Sequence, residues 1–373
     1  MIEKMIVSKS SKRKRKIQTY QCENGHFFKA RIRNQWSDSF IEYVVYVYLR
    51  CLSLNTAIDV VRVTYEEDLL SKKLILTFIE QVADPLPGLD DIDRIFEPTR
   101  SGYLAFDGVW FNFQDEEVVL LVCFDPETFD VIGALWHEQE DQAGYDQLMC
   151  QVLRKLPKVS IKGAYGDGDN GLIASLKLNL PDVPFQVCVA HKEMRMGQFV
   201  PVKSVHRSRQ LTAPVKEQIL KFQELFRAVI YADNEPASYQ ALEKLKVFVQ
   251  RVRGPNAMRF GKAYRSLNRN FEFTLTHFRY PRMARDNNLI ECFNGCIKPR
   301  INLMKSFKKK ENLNRYLKLF LLEFRFRPLR ESRFKDRRGK SPLELGGVYL
   351  EKYWNFLTFL RTHFKLSYQP KIS

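Results

Sequence analysis

The sequence has no uninterrupted apolar run of about 18 residues, the length a membrane-spanning helix requires. Its basic N-terminus, Met1 to Lys16, is not followed by an apolar segment, so it does not read as a secretory signal. Seven cysteines (Cys22, Cys51, Cys123, Cys150, Cys188, Cys292 and Cys296) include no CxxC pair. An odd number, scattered along 373 residues, is no disulfide framework and suits a reducing compartment. Internal repeats and long low-complexity segments are also missing. A membrane protein, a secreted disulfide scaffold and a solenoid are thereby disfavoured.

What is present is length, apolar content and positive charge. At 373 residues the chain exceeds one average domain, and 45% hydrophobic residues suffice for real cores. Sixty Lys and Arg against 43 Asp and Glu give a net charge of +17. An excess of that size favours a polyanionic partner, and DNA or RNA is the usual one.

Residues 1–36 read as a basic arm containing the run Lys12-Arg13-Lys14-Arg15-Lys16. Cys22 and His26 have the spacing of half a zinc site, with no second pair nearby; a plain turn at Asn24-Gly25 is the other reading. Residues 37–84 predict three short helices, through Phe40 to Leu49, Ala57 to Val61 and Leu74 to Ile79. Three such helices in a basic protein suit a helix-turn-helix unit for DNA, and equally any small helical bundle. Pro85-Leu86-Pro87-Gly88 reads as a linker.

The texture changes in residues 85–191. Tyr103–Phe113, Val118–Phe124 and Val131–Trp136 predict three strands, then Gln142–Leu156 a helix. Val159–Tyr165 predicts a fourth strand, Asn170–Leu178 a helix, and Pro184–Ala190 a fifth strand. Hairpin strands first and crossover helices afterwards imply an α/β fold with a mixed five-stranded sheet, the order of a ribonuclease-H-like core. Residues 192–285 predict an all-helical insertion, with helices over Val215–Ile230, Ser238–Val252 and Ala257–Phe273. Residues 286–310 return to the core, through a helix from Asn288 to about Lys298 that stops before Pro299. Residues 311–373 read as a basic helical C-terminal region.

Three acids stand out within this order. Asp107 interrupts the apolar strand Leu104-Ala105-Phe106-Asp107-Gly108-Val109-Trp110, where a lone carboxylate is costly unless paired or coordinated; an edge-strand Asp facing water is the plain alternative. Asp167 lies where the fourth strand runs into a Gly-flanked turn, the place where α/β folds put ligands. Asp169 is positioned to cap the next helix. Glu291 lies in the first turn of a helix, where Asn288 and Glu291 also form a capping box. Glu291, Asn294 and Lys298 share one helical face. Basic residues follow, among them Arg300, Lys305, Lys308, Lys309, Lys310, Arg315, Arg325 and Arg327, interleaved with Phe307, Tyr316 and Phe326. They suit phosphate positioning or a solvated helix face.

Phe106-Asp107-Gly108, Gly166-Asp167-Gly168 with Gly171-Leu172, and Asn287-Asn288-Leu289-Ile290-Glu291-Cys292-Phe293-Asn294 resemble the signature blocks of Mutator-like DDE transposases and their prokaryotic insertion-sequence relatives. So does Cys188-Val189-Ala190-His191, which looks like the C-x-x-H motif on the fifth strand of that group. The long helical gap between Asp167 and Glu291 and the tail Gly339-Lys340-Ser341-Pro342-Leu343-Glu344-Leu345 are similar to theirs as well. The resemblance covers roughly residues 100–350.

This resemblance implies a DNA transposase that cleaves element ends with water and then joins a 3′-hydroxyl to target DNA. Asp107, Asp167 and Glu291 would hold two Mg²⁺ or Mn²⁺ ions, which activate the attacking oxygen and stabilise the leaving one. Cys188 and His191 would lie near the site, with Asn294, Lys298 and Arg300 behind the acids or on DNA. A zinc site from Cys188, His191, Cys292 and Cys296 is a lesser option. DNA is the implied partner, in a homodimer or larger assembly, in the cytoplasm on the nucleoid, or in a nucleus. The alternative is a domesticated DNA-binding descendant without catalysis, against which the three retained acids argue.

Overall fold

The computed structural model describes residues 2–4, 18–21, 27–30, 36–50, 53–65, 70–286, 288–303, 307–332, 334–353 and 355–368. The side chains of residues 2–30, Asn288, Leu289, Glu291 and Leu303 lie outside this description, as do Lys12–Lys16, Cys22–His26 and Lys305. The chain divides into two compact units, one of Met1–Arg50, Leu54–Leu86 and Tyr353–Ser373, the other of Cys51–Ser53 and Pro87–Lys352.

The first unit begins with three antiparallel strands, β1 (Ile2–Lys4), β2 (Gln18–Gln21) and β3 (Phe27–Ala30), in a region expected to be an unpatterned arm. They are only three or four residues long, too short for alternation to show in the sequence. Three helices follow: α1 (Asp38–Arg50), α2 (Leu54–Tyr65) and α3 (Lys72–Ala83). Ser71 caps α3, its Oγ accepting the Leu74 N–H at 3.2 Å. The apolar stripes Val44, Val45, Leu49 and Ile75, Phe78, Ile79, Val82 are buried at helical spacing. The helix Phe356–His363 also belongs here: the buried Glu42 of α1 accepts from Arg361 Nε at 2.6 Å and Thr358 Oγ1 at 2.7 Å. The C-terminal region, read from sequence as one piece, is therefore shared between the units.

The second unit opens with α4 (Leu89–Phe96) and then builds β4 (Tyr103–Phe113), β5 (Glu116–Asp125), β6 (Asp130–His137), α5 (Gln142–Lys155), β7 (Gly163–Gly166), α6 (Asn170–Asn179) and β8 (Phe185–Val187). The sheet runs β6-β5-β4-β7-β8; β4, β5 and β6 pair antiparallel, while β7 and β8 are parallel to β4. Sequential hairpins followed by helical crossovers on a five-stranded mixed sheet define a ribonuclease-H-like core. The β4–β5 hairpin turns on Gln114 and Asp115, both at positive φ (50° and 68°), which matches the twist of the strands. The fourth strand starts at Gly163, later than its apolar run suggests, because Lys158–Ser160 form a 3₁₀ turn that leaves Val159 exposed.

After β8 the helices α7 (Val189–Phe199), α8 (Ala213–Ile230), α9 (Glu235–Arg251), α10 (Asn256–Asn268) and the single turn α11 (Thr276–Arg279) form the insertion. It has its own core, in which Phe222 stacks on Phe260 at 4.3 Å between ring centres. Two helices then return to the sheet, α12 (Asn288–Leu303) and α13 (Lys310–Phe326), before the short α14 (Pro342–Leu345). Pro299 lies inside α12, contrary to the expected stop. Ile290, Phe293, Ile297 and Ile301 are buried at helical spacing across it, and this stripe outweighs the lost N–H.

Helices cover both faces of the sheet. On one side Phe106, Val119 and Leu121 pack with Tyr145, Leu148 and Val152 of α5 and Leu172 of α6. On the other, Phe124 meets Phe293 of α12 and Phe324 of α13 with ring centres 4.9 and 5.6 Å apart. Arg325, expected either to position phosphate or to lie on a solvated helix face, is instead fully buried. Its Nε and Nη2 donate to Asp130 at 2.8 and 2.9 Å, and Nη2 also reaches Asp93 at 2.5 Å. Arg100 bonds the same two acids at 2.6 and 2.8 Å, tying α4, β6 and α13 together. Net charge in the sequence cannot separate such a structural pair from a surface cation. Arg325→Met would leave Asp130 and Asp93 short of a partner, and should lower stability in urea unfolding by about 3–5 kcal/mol; a loss below about 1 kcal/mol would mean that water already reaches these acids.

Candidate active site

The register of β4 and β7 places the first two acids side by side. Tyr103 pairs with Gly163, Leu104 with Ala164 and Ala105 with Tyr165, so the same offset carried two residues further sets Asp107 level with Asp167. β7 ends at Gly166, and Gly168 at φ +84° turns the chain away. The pairs of β7 with β8, up to Gly166 with Val187, set Cys188 next in line. Asp107, within β4, thus lies level with Asp167 and Cys188, which follow the carboxyl ends of β7 and β8.

Asp107 points to the α12 face. Its Oδ2 accepts from Asn294 Nδ2 at 2.5 Å and its Oδ1 from the Gly108 N–H at 3.0 Å. Burial raises its pKa, against the pull of His191 and Asn294, and the nearby Asp167 raises it further. Asn294 is 2% exposed, and its Oδ1 finds no hydrogen-bond partner among the described residues. Asp167 Oδ2 accepts from Arg195 at 2.6 Å and its Oδ1 from the Asp169 N–H at 2.9 Å. Asp169 caps α6 through the Gly171 N–H at 2.7 Å, as its place before Asn170 predicts.

Cys188 and His191 do not lie on a strand: β8 stops at Val187, Cys188 is the N-cap of α7, and His191 is in its first turn. Burial alone would lower the His191 pKa, but the hydrogen-bonded Cys188 and the carboxylates of Asp107 and Asp167 outweigh it and raise the imidazole to about 9. It is therefore a cation at neutral pH beside two acids. The start of α7 is held by the segment before α12, with Val189 N donating to Arg285 O and Ala190 N to Asp286 Oδ1, both at 3.1 Å. The buried Lys192 reaches the other way, donating to the carbonyls of Ser266 at 3.0 Å and Arg269 at 2.5 Å, at the end of α10.

Two functional candidates were missed in the sequence. Arg195 follows His191 by one turn, so both lie on one face of α7; reading Pro184–Ala190 as strand hid that periodicity. Glu140, in the bend between β6 and α5, accepts from Tyr145 Oη at 2.6 Å and Trp110 Nε1 at 3.3 Å. No motif singles it out in the sequence, where it stands among the polar residues Glu138-Gln139-Glu140-Asp141.

The remaining sequence candidates lie on α12. Glu291 is on the first turn of α12, the helix that brings Asn294 to Asp107, but its side chain lies outside the described residues. Lys298 is exposed. Arg300 is buried, its guanidinium 5.1 Å above the Phe320 ring, so it supports packing and is no open phosphate contact. Among the described residues no three His, Cys, Asp or Glu side chains come together as a metal site, which leaves a zinc set from Cys188, His191, Cys292 and Cys296 unformed. A magnesium ion asks for less: one or two carboxylates, waters and a substrate phosphate. Asp107, Asp167 and the unpartnered Asn294 Oδ1 are hard oxygen donors at a site whose acids repel, and they fit such an ion.

The family profile described as Transposase, Mutator family matches residues 12–326. The chain belongs to the Mutator family of transposases. No curated protein matches it. Among solved structures, the Drosophila P element transposase strand transfer complex is 13% identical over 84% of this chain and 91% of that one, with a TM-score of 0.30. A chain of the simian T-cell lymphotropic virus intasome, in complex with PP2A regulatory subunit B56 gamma, is 10% identical over 45% of this chain, with a TM-score of 0.21. The transposase chain spans 63% of that intasome chain. Among its described residues no helix is long and apolar enough to cross a membrane.

The raised pKa of Asp107 has a consequence for stability. Its ionised form is disfavoured by folding, so the cost is absent below the unfolded-state pKa and grows as pH rises toward the folded one. Asp107→Asn removes that cost. In thermal melts without divalent ions the variant should outlast the parent at pH 7, and the difference should vanish in acid; a variant that melts lower at pH 7 would contradict a net cost of burying this charge.

Proposed function

We propose that this transposase is of the DDE type, cleaving DNA at the ends of an insertion element and transferring the strand to a target by two-metal chemistry. The observation that carries the reading is the alignment of Asp107, within β4, with Asp167, just past the end of β7, on a family member whose α12 brings Asn294 onto Asp107. Asp107 and Asp167 hold the divalent ions, Mg²⁺ or Mn²⁺, and Glu291 completes the set. Bound there, two such ions activate the attacking oxygen and stabilise the leaving oxygen.

The chain's own residues do the rest. Asn294 fixes the orientation of Asp107, and Arg195 that of Asp167. The cationic His191 offsets the repulsion between the acids until ions and phosphate arrive. The net charge of +17 favours DNA, with phosphate contacts supplying affinity and a steep salt dependence. The DNA comprises the element's ends and its target, on the nucleoid or in a nucleus, and the acting form is a dimer or larger assembly on paired ends. The retained Asp107, Asp167 and Glu291 weigh against a domesticated protein that only binds.

Purified protein with Mg²⁺ or Mn²⁺ should nick a duplex carrying the ends of its own element. Asp107→Asn, Asp167→Asn and Glu291→Gln should each slow nicking on the order of 10³-fold, while gel-shift affinity for the same duplex stays. Undiminished cleavage by Glu291→Gln would remove it from the ligand set, and undiminished cleavage by either Asp variant would sink the DDE reading.

A further inference from the structure

Glu140 holds a carboxylate in place beside the proposed ion centre, on the opposite side of β4 from Asp107. Gly108 and Trp110 alternate with Asp107 along the strand and so face α5. The Glu140 carboxyl lies directly over Gly108: a Cβ on that glycine would come within 3.0 Å of Glu140 Cδ and Oε1. The Asp-Gly step in β4 therefore does two things, since the glycine leaves room for a second acid against the backbone that carries the first.

Neutral donors orient both oxygens. Tyr145, 1% exposed, donates to Oε1 and is held edge-on to Phe106, and the half-exposed Trp110 donates to Oε2. Neither donor neutralises the charge. Burial, followed by the acids Asp167, Asp169 and Asp107, raises the Glu140 pKa to about 7 despite the Tyr145 bond. A carboxylate fixed by hydrogen bonds from neutral donors, within electrostatic reach of three other acids, has the supports of a metal-site group. A second observation at the same centre points to a ligand: the deeply buried Asn294 Oδ1, on the residue that bonds Asp107, has no described partner.

We propose that Glu140 is a fourth carboxylate of the ion centre, acting on the divalent ion through its water shell from the α5 side of β4. This rests on the reading of Asp107 and Asp167 as ion-binding residues. Direct ligation is not required: Mg²⁺ and Mn²⁺ keep several waters, and a carboxylate beyond ligand distance accepts hydrogen bonds from them. Glu140 is here a positioning residue for the ion, and Tyr145 and Trp110 position Glu140. The competing role is structural, with Glu140 merely satisfying the buried Tyr145 hydroxyl.

The two roles separate in Glu140→Gln, which retains an oxygen to accept from Tyr145 and loses the charge. Mn²⁺ binding to the full chain without DNA, read from the electron paramagnetic resonance of free Mn²⁺, should weaken about tenfold in this variant. Its melting temperature without ions should not fall. Tyr145→Phe, which keeps the charge and frees its orientation, should weaken Mn²⁺ binding less, and adding it to Glu140→Gln should change little more. Wild-type Mn²⁺ affinity in Glu140→Gln, with binding lost in Asp107→Asn, would overturn the role of Glu140 and leave the ion centre standing. Wild-type affinity in both variants would overturn the centre itself.

Discussion

Three residue pairs of parallel sheet, Tyr103–Gly163 to Ala105–Tyr165, decide what the rest of the second unit can do. They set Asp107 and Asp167 level where the β4–β7 ladder ends, while β4 itself runs on against β5, so the carboxylate of a continuing strand meets that of the turn after β7. A slip of one residue would send Asp107 to the α5 face and dissolve the arrangement. The register is in turn enforced by burial on both faces, with Phe106 on the α5 side and Phe124 packed on Phe293 and Phe324 on the other. Packing thus holds like charges together that would separate if free to do so.

The surrounding groups answer that repulsion in different ways. Arg195 and His191 bring positive charge from α7, while Asn294 supplies a neutral donor from α12. The contrast with Arg325 is instructive. There two acids are matched by two arginines and by Lys155, whose Nζ lies 2.8 Å from Asp93 Oδ2, in a network that ties helices to the sheet. Around Asp107 the balance is incomplete, with a raised pKa and an unpartnered amide oxygen. The difference between a structural and a functional charge cluster is this residue of unsatisfied demand.

Much of this was legible in sequence, and the failures have physical causes. Asp107 stood out because one acid within an apolar strand is expensive, and Asp167 because a strand ended in glycines around it. The helices of the insertion showed in their apolar spacing. Glu140 was hidden because it sits among polar neighbours in a bend, where burial comes from Gly108 and Tyr145, distant in sequence. Arg195 was hidden by a single misplaced boundary: Val187-Cys188-Val189-Ala190 is β-prone by composition, yet the chain turns helical at Val189. Arg325 and Arg300 looked like surface cations because charge patterns carry no depth. Pro299 misled because a local rule was overridden by the buried stripe of α12.

The helix α7 is shared property. Its first turn carries His191 to the acids, and Arg195 grips Asp167. Val189 and Met196 lie in the insertion's own core, and Lys192 clamps the end of α10. The insertion is therefore no detachable cassette spliced between two halves of a catalytic core. A shortened protein that joined β8 directly to α12 would lose its grip on Asp167 along with the helices, so any compact engineered version must keep α7 and the wall it leans on.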